Sequence, residues 1–370
     1  MSTEMKNVPS GRVVSIDALR GFDMLWITGG AGALLSLVKW LNLPFAEAVA
    51  KQFGHSSWNG FTFYDLIFPL FLFIVGASMP FSISKRLERG DSRKDLYVHI
   101  FKRALTLFVL GLVFNKILDF NFESFRWAGV LQRISLCSLF AGLIVINFNV
   151  KGQAIAAGVI LILYWAAMAL IPVPGFGSGV LTPEGNFASY IDRLFLPGRF
   201  CCFEFGDNEG ILSTIPAIAT TLLGVLSGHW LRSSQPQGTK VLRLAGAGVA
   251  SLIVAGLWSI LFPINKLIWT SSYVLYAGGW SMLLLALFYW IIDVRGYKKW
   301  AFFFVVIGLN PITIYVAQSL FNFGTIADIF IHGFVDYLGA FKPFFVASCV
   351  LAVKWLFLYF LYKQRIFLKA

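Results

Sequence analysis

Residues 64–83 read Tyr64-Asp65-Leu66-Ile67-Phe68-Pro69-Leu70-Phe71-Leu72-Phe73-Ile74-Val75-Gly76-Ala77-Ser78-Met79-Pro80-Phe81-Ser82-Ile83. The only charge in this stretch, Asp65, stands at its beginning. About 20 apolar residues, rising about 1.5 Å each, cross the roughly 30 Å of a bilayer's hydrocarbon. The stretch therefore reads as a transmembrane helix. Nine further apolar runs lie near 19–38, 104–115, 130–146, 154–171, 211–230, 244–262, 273–292, 301–320 and 343–362. The run at 104–115 is short, and the helix is expected to begin earlier, near Tyr97, with Lys102 and Arg103 reaching back to the interface. The fold class is all-α, a polytopic integral membrane protein of about ten transmembrane helices.

Composition agrees. Of the 370 residues 58% are hydrophobic and 13% charged, against about 45–50% and about 25% in soluble domains. No segment free of apolar runs is long enough for a soluble domain, so residues 1–370 read as a single transmembrane domain. The net charge of +12 does not point to nucleic acid, because the bases collect in alternate loops. With a cytoplasmic N-terminus, about 1–15, nineteen of the thirty bases fall in inside segments. They include Lys6, Arg12, the seven from Lys85 to Arg103, and Lys369. Eight fall in outer loops, while Arg20, Arg133 and Lys354 lie within spans. Both termini are therefore expected in the cytoplasm. Nothing at the N-terminus resembles a cleaved signal. Cys201 and Cys202 are adjacent, and a Cα spacing of about 3.8 Å is short for a disulfide.

The longer outer segments, about 41–62, 172–210 and 321–342, are where chemistry is expected, since sites concentrate on loops held by a rigid scaffold. His55 lies in Phe53-Gly54-His55-Ser56-Ser57-Trp58-Asn59-Gly60. A histidine can exchange a proton with an amine or hydroxyl near neutral pH. Trp58 and Asn59 would add donors for an oxyanion. The competing reading is an interfacial loop in which His55 and Trp58 anchor among headgroups. Thr62-x-x-Asp65 matches a capping box, which makes Asp65 structural, with a place in a cavity as the alternative. Asp17, Arg20 and Asp23 are spaced three apart, so Arg20 can pair with either acid. Charges inside spans face protein or water and are functional by default; Arg133 and Lys354 fall under that rule. Asn310-Pro311 interrupts the ninth run, as helices lining cavities do. Gly224-x-x-x-Gly228 reads as close helix packing. Isolated histidines without paired spacing give no metal site.

Taken in order, several motifs resemble the heparan-α-glucosaminide N-acetyltransferase family. They are Ser15-Ile16-Asp17-Ala18-Leu19-Arg20-Gly21, His55-Ser56-Ser57-Trp58-Asn59-Gly60, Asp65-Leu66-Ile67-Phe68-Pro69, Gly129-Val130-Leu131-Gln132-Arg133 and Tyr190-Ile191-Asp192-Arg193-Leu194. Glu209-Gly210-Ile211-Leu212, the stretch from Asn265 to Tyr273 and Tyr362-Lys363-Gln364-Arg365-Ile366-Phe367 continue the likeness.

The resemblance implies an enzyme that takes acetyl from cytosolic acetyl-CoA and delivers it across the membrane to the amine of a glucosamine-type sugar. His55 would be its catalytic histidine, as general base or acetyl carrier, with Trp58 and Asn59 beside it. Arg20, Lys85 and Arg103 would hold the CoA phosphates. Asp65, Arg133, Asp192, Glu209 and Asn310 would line the acceptor site or its cavity. Acetyl-CoA is the expected cosubstrate, with no metal. The expected partners are the bilayer and a sugar or glycan acceptor, with a homodimer left open against a monomer. The likeness is to a bacterial relative in the inner membrane, without the N-terminal extension of lysosomal members. A lysosomal asparagine is replaced within Thr28-Gly29-Gly30-Ala31-Gly32, which bears on the acceptor sugar. A polysaccharide O-acyltransferase and a proton-coupled transporter are the alternatives.

Overall fold

The computed structural model describes residues 13–367; Lys6, Arg12, Lys369 and most of the expected cytoplasmic N-terminal segment lie outside the described residues. In chain order the helices are α1 (Val14–Leu25), α2 (Ala31–Trp40), α3 (Ala46–Gln52), α4 (Phe63–Glu88), α5 (Arg93–Phe114), α6 (Val130–Asn147), α7 (Val150–Leu170) and α8 (Phe187–Phe195). A small hairpin follows, β1 (Cys202–Phe203) and β2 (Gly206–Asp207). Then come α9 (Ile211–Arg232), α10 (Gln237–Trp258), α11 (Ser271–Tyr289), α12 (Ala301–Gly308), α13 (Pro311–Leu320), α14 (Phe323–Ile331) and α15 (Lys342–Lys363).

Among the described residues nine helices are long and apolar enough to cross a membrane. The pair α12–α13, bent by 69°, makes a tenth when counted as one span. The chain is thus a multi-pass membrane protein, and the bend falls where Asn310-Pro311 predicts it. The third span opens at Arg93, earlier than Tyr97, because Ser92 and Asp95 form a reciprocal cap over its first turn. Their bonds run from Asp95 N to Ser92 Oγ at 3.3 Å and from Ser92 N to Asp95 Oδ2 at 2.9 Å. Cys201 and Cys202 are free thiols.

Two compact units can be distinguished. The first comprises described residues 13–55, 62–67 and 287–367. Here α1 packs on α12 backbone to backbone: a Cβ on Gly21 would strike the Phe304 carbonyl, and one on Gly308 the Asp17 carbonyl. Between α1 and α2 the helix widens into a π turn, Trp26–Gly30, with Gly29 at φ 125°. A π turn breaks the i→i−4 ladder. The Thr28 carbonyl instead accepts from Lys354 Nζ of α15 at 2.6 Å, which supplies the partner that Lys354 needs inside its span.

The second unit comprises 56–61 and 68–286. Its centre is the contact of α4 with α9. Added Cβ atoms on Gly76, Gly224 and Gly228 would meet the backbone at Thr221, Phe73 and Ala77. The packing read from Gly224-x-x-x-Gly228 is therefore present, with Gly76 as its counterpart. Segment 171–210 is ordered by its own polar bonds. Asn186 caps α8 through Ser189 N at 2.8 Å. Arg126 grips the hairpin end through Asp207, with Nε–Oδ2 2.8 Å and Nη2–Oδ1 2.6 Å, and also binds Glu209.

Candidate active site

The loop after α3 is closed at its base by the start of α4. Phe63 N donates to Gln52 Oε1 at 3.0 Å, and Thr62 Oγ1 donates to the Gly54 carbonyl at 2.7 Å. Thr62 N donates to Asp65 Oδ2 at 3.2 Å, which is the carboxylate half of the expected capping box. The other half is absent, since Asp65 N bonds the Thr62 carbonyl rather than its hydroxyl. This closure brings His55 over Asp65, ten residues on in sequence. His55 Nδ1 lies 2.8 Å from Asp65 Oδ1. The Asp65 side chain is fully buried, whereas 54% of the His55 side chain is exposed. Asp65 thus caps the helix and orients the histidine, so the structural and functional readings both hold for it.

Chemically, a carboxylate on Nδ1 places the ring proton there and leaves the basic lone pair on Nε2. Placement in the first turn of α4 also favours the negative charge. Behind the imidazole runs a file of aromatic rings. His55 meets Tyr64 at 5.0 Å between centroids, Tyr64 meets Phe53 at 6.4 Å, and Phe53 meets Trp26 at 5.2 Å. Phe63 closes on both Phe53, at 5.2 Å, and Trp26, at 5.4 Å.

In the second unit Trp58 and Asn59 are held by other loops. Trp58 Nε1 donates to the Leu181 carbonyl at 2.8 Å, and its ring meets Phe203 at 5.5 Å. The indole donor expected for an oxyanion is therefore already engaged. Asn59 Oδ1 accepts from Asn265 Nδ2 at 3.1 Å, which orients the Asn59 amide. Three more expected site residues meet at the start of α9. Asp192 accepts from Ile211 N at 2.9 Å and from Asp207 N at 3.2 Å. Burial pushes the Asp192 carboxyl up to about 6 despite these two bonds. Arg133, 1% exposed, donates to Ser213 Oγ at 2.5 Å and lies 4.8 Å from the Trp269 ring centroid. Glu209 is bound to Arg126, whose guanidinium is held charged by Asp207 and Glu209 against the pull of its own burial.

The remaining expected residues stand apart from these groups. Arg20 Nη1 donates to Asp17 Oδ1 at 2.9 Å and to the Gly308 carbonyl at 3.2 Å, so of its two acidic neighbours it pairs with Asp17. Asn310 is buried at the α12–α13 break and donates to the Ile366 carbonyl at 3.0 Å. Lys85 is exposed near the end of α4, and Arg103 is half-buried on α5. Thr28 Oγ1 donates back to the Met24 carbonyl at 2.9 Å, so its hydroxyl serves the helix.

Sequence reasoning passed over Arg126 and the Asn59–Asn265 bond, because each partner comes from a distant loop. It also weighed Asp65 without its histidine. The one available signal was an acid opening a span shortly after a loop histidine.

A family model described as a domain of unknown function (DUF5009) matches residues 12–176, which contain both His55 and Asp65. The human heparan-alpha-glucosaminide N-acetyltransferase is 28% identical over 84% of this chain, and the mouse enzyme of that name is 27% identical over 99%. The chain is similar to heparan-alpha-glucosaminide N-acetyltransferases over most of its length. It covers 53% of the human and 62% of the mouse heparan-alpha-glucosaminide N-acetyltransferase, so it spans little more than half of these curated relatives.

Proposed function

We propose that this protein is a membrane-bound acetyltransferase that moves acetyl from cytosolic acetyl-CoA to the amine of a glucosamine-type sugar on the outer, periplasmic side. The observation that carries the reading is the His55–Asp65 pair: a solvent-facing imidazole held through Nδ1 by a fully buried carboxylate. The similarity to two N-acetyltransferases supports the reaction class. In the proposed step the acceptor nitrogen attacks the thioester carbonyl while His55 Nε2 takes its proton. The C–S bond then breaks, and the proton passes to the departing CoA thiolate. Asp65 keeps the imidazole in the right tautomer and stabilises the imidazolium. Asn59, oriented by Asn265, offers its amide N–H to the oxyanion or the sugar. Trp58, fixed by Leu181, holds the loop in shape.

At the cytoplasmic end Lys85 and Arg103 meet the CoA phosphates, while Arg20, tied to Asp17, fixes the entrance of the first span. Both termini lie in the cytoplasm in this reading, in a bacterial inner membrane, with residues 1–370 acting as one transmembrane acyltransferase domain. The test is purified protein with acetyl-CoA and a panel of amino sugars and their N-blocked forms. Acetyl should appear on the amine and depend on His55. Acetyl on a hydroxyl of N-blocked sugars would make it an O-acyltransferase. No transfer to any acceptor would overturn the reading.

A further inference from the structure

Asp23 and Trp26 hold three buried polar atoms without a hydrogen-bond partner among the described residues: both Asp23 carboxyl oxygens and Trp26 Nε1. The Asp23 side chain is entirely inaccessible. Buried polar groups are satisfied almost everywhere in proteins, so such a cluster calls for a partner. The nearby polar groups are occupied. Arg20 bonds Asp17 and the Gly308 carbonyl. Lys354 bonds the Thr28 carbonyl and, at 3.4 Å, Gln318 Oε1. Thr28 Oγ1 bonds the Met24 carbonyl. An ionisable residue inside a span is by default a functional one.

Asp23 and Trp26 are three residues apart, on one face of α1 as it enters the π turn, and Trp26 N bonds the Asp23 carbonyl there. The face thus presents acceptor oxygens one turn from an N–H donor. A secondary amide is the complementary group, offering one N–H and one C=O. Either protonation state of the carboxyl can accept that N–H. From Trp26 the file of rings leads through Phe53 and Tyr64 to His55.

We infer that Asp23 and Trp26 form a binding site for an amide of the pantetheine arm of the acyl donor, with the N–H on Asp23 and the C=O on Trp26 Nε1. This inference rests on the proposed acetyl-CoA-dependent reaction. The site seats the arm against α1 and leaves the thioester beyond it to lie along the aromatic file toward His55. Asp23 and Trp26 are donor-binding and positioning residues; neither touches the reacting carbonyl.

Trp26→Phe keeps the ring and deletes the donor. Asp23→Leu replaces an unpaired buried carboxyl with an apolar group of similar length, so its thermal midpoint should hold or rise. Each variant should raise the KM for acetyl-CoA about tenfold at similar kcat, the size of one lost hydrogen bond to a buried group. Neither should change kcat/KM for ethyl thioacetate, a thioester without amides. Independently of turnover, free CoA should raise the thermal midpoint of the wild type, and 3′,5′-ADP, which lacks the arm, should give the same smaller shift in all three proteins. Variants that keep the full CoA shift and an unchanged KM would overturn the site while leaving the acetyl-CoA reading intact. A wild type that CoA does not stabilise and that transfers no acetyl would overturn that reading and the site with it.

Discussion

At the scale of single residues the account turns on one bond, His55 Nδ1 to Asp65 Oδ1. Replacing His55 by Ala should reduce acetyl transfer by at least about 10²–10⁴-fold, the usual contribution of a positioned acid–base group, with CoA binding retained. Asp65→Asn should also lower kcat steeply, because an amide no longer enforces the proton on Nδ1. The double variant should lose little more than either single one, since the two residues act as a unit. His99→Ala is the control. His99 sits against Arg86, at 3.1 Å, near the basic segment between α4 and α5, and most activity should remain. A His55→Ala protein as active as wild type would remove His55 from the chemistry. How much of this was legible in sequence follows from spacing. A histidine in an outer loop stands out by residue type, but its partner is ten residues away and reached only through the Thr62–Gly54 closure. Lys354 and Thr28 lie 326 residues apart, so no local pattern could have joined them. Arg20 had two acids at equal spacing, and only the fold selects Asp17 and leaves Asp23 unpaired.

At the scale of elements the spans were legible because lipid demands about 20 apolar residues, and that demand is written into composition. Their polar ends were less legible, as the Arg93 start of α5 shows: a cap of Ser92 and Asp95 extends the helix into charged sequence. The contact of α4 with α9 depends on glycine. Gly224→Ala should lower the thermal midpoint in detergent, because its Cβ would enter the Phe73 carbonyl; overpacking of this kind costs about 1–3 kcal/mol. An unchanged midpoint would mean that the two helices separate without loss. The start of α9 carries a pH signature. The Asp192 carboxyl stands at about 6 in the folded protein, above its ordinary 3.8, because it is buried. A raised carboxyl binds its proton more tightly when folded. Its contribution to stability is therefore complete below about pH 4 and is lost as pH rises through about 6. That amounts to on the order of 3 kcal/mol. Wild-type protein should gain stability relative to Asp192→Asn when the pH is lowered from 7 to 5, read as the difference in thermal midpoints. Parallel pH profiles for the two proteins would contradict this.

At the scale of the whole molecule the proposal requires donor and acceptor on opposite faces. Reporter fusions after Lys94 and after Ser234 should read cytoplasmic, and one near Asn186 external; a cytoplasmic signal near Asn186 would invert the orientation. The more direct measurement is made in sealed vesicles that hold the purified protein. An impermeant amino sugar is trapped inside, and labelled acetyl-CoA is supplied outside, where only copies with outward cytoplasmic ends can use it. CoA carries several phosphates, which cannot pass through hydrocarbon without a wide pore. The account predicts labelled N-acetyl sugar inside the vesicles, free CoA remaining outside, and neither product with His55→Ala protein. Product formed only when both substrates share one face would contradict transfer across the membrane.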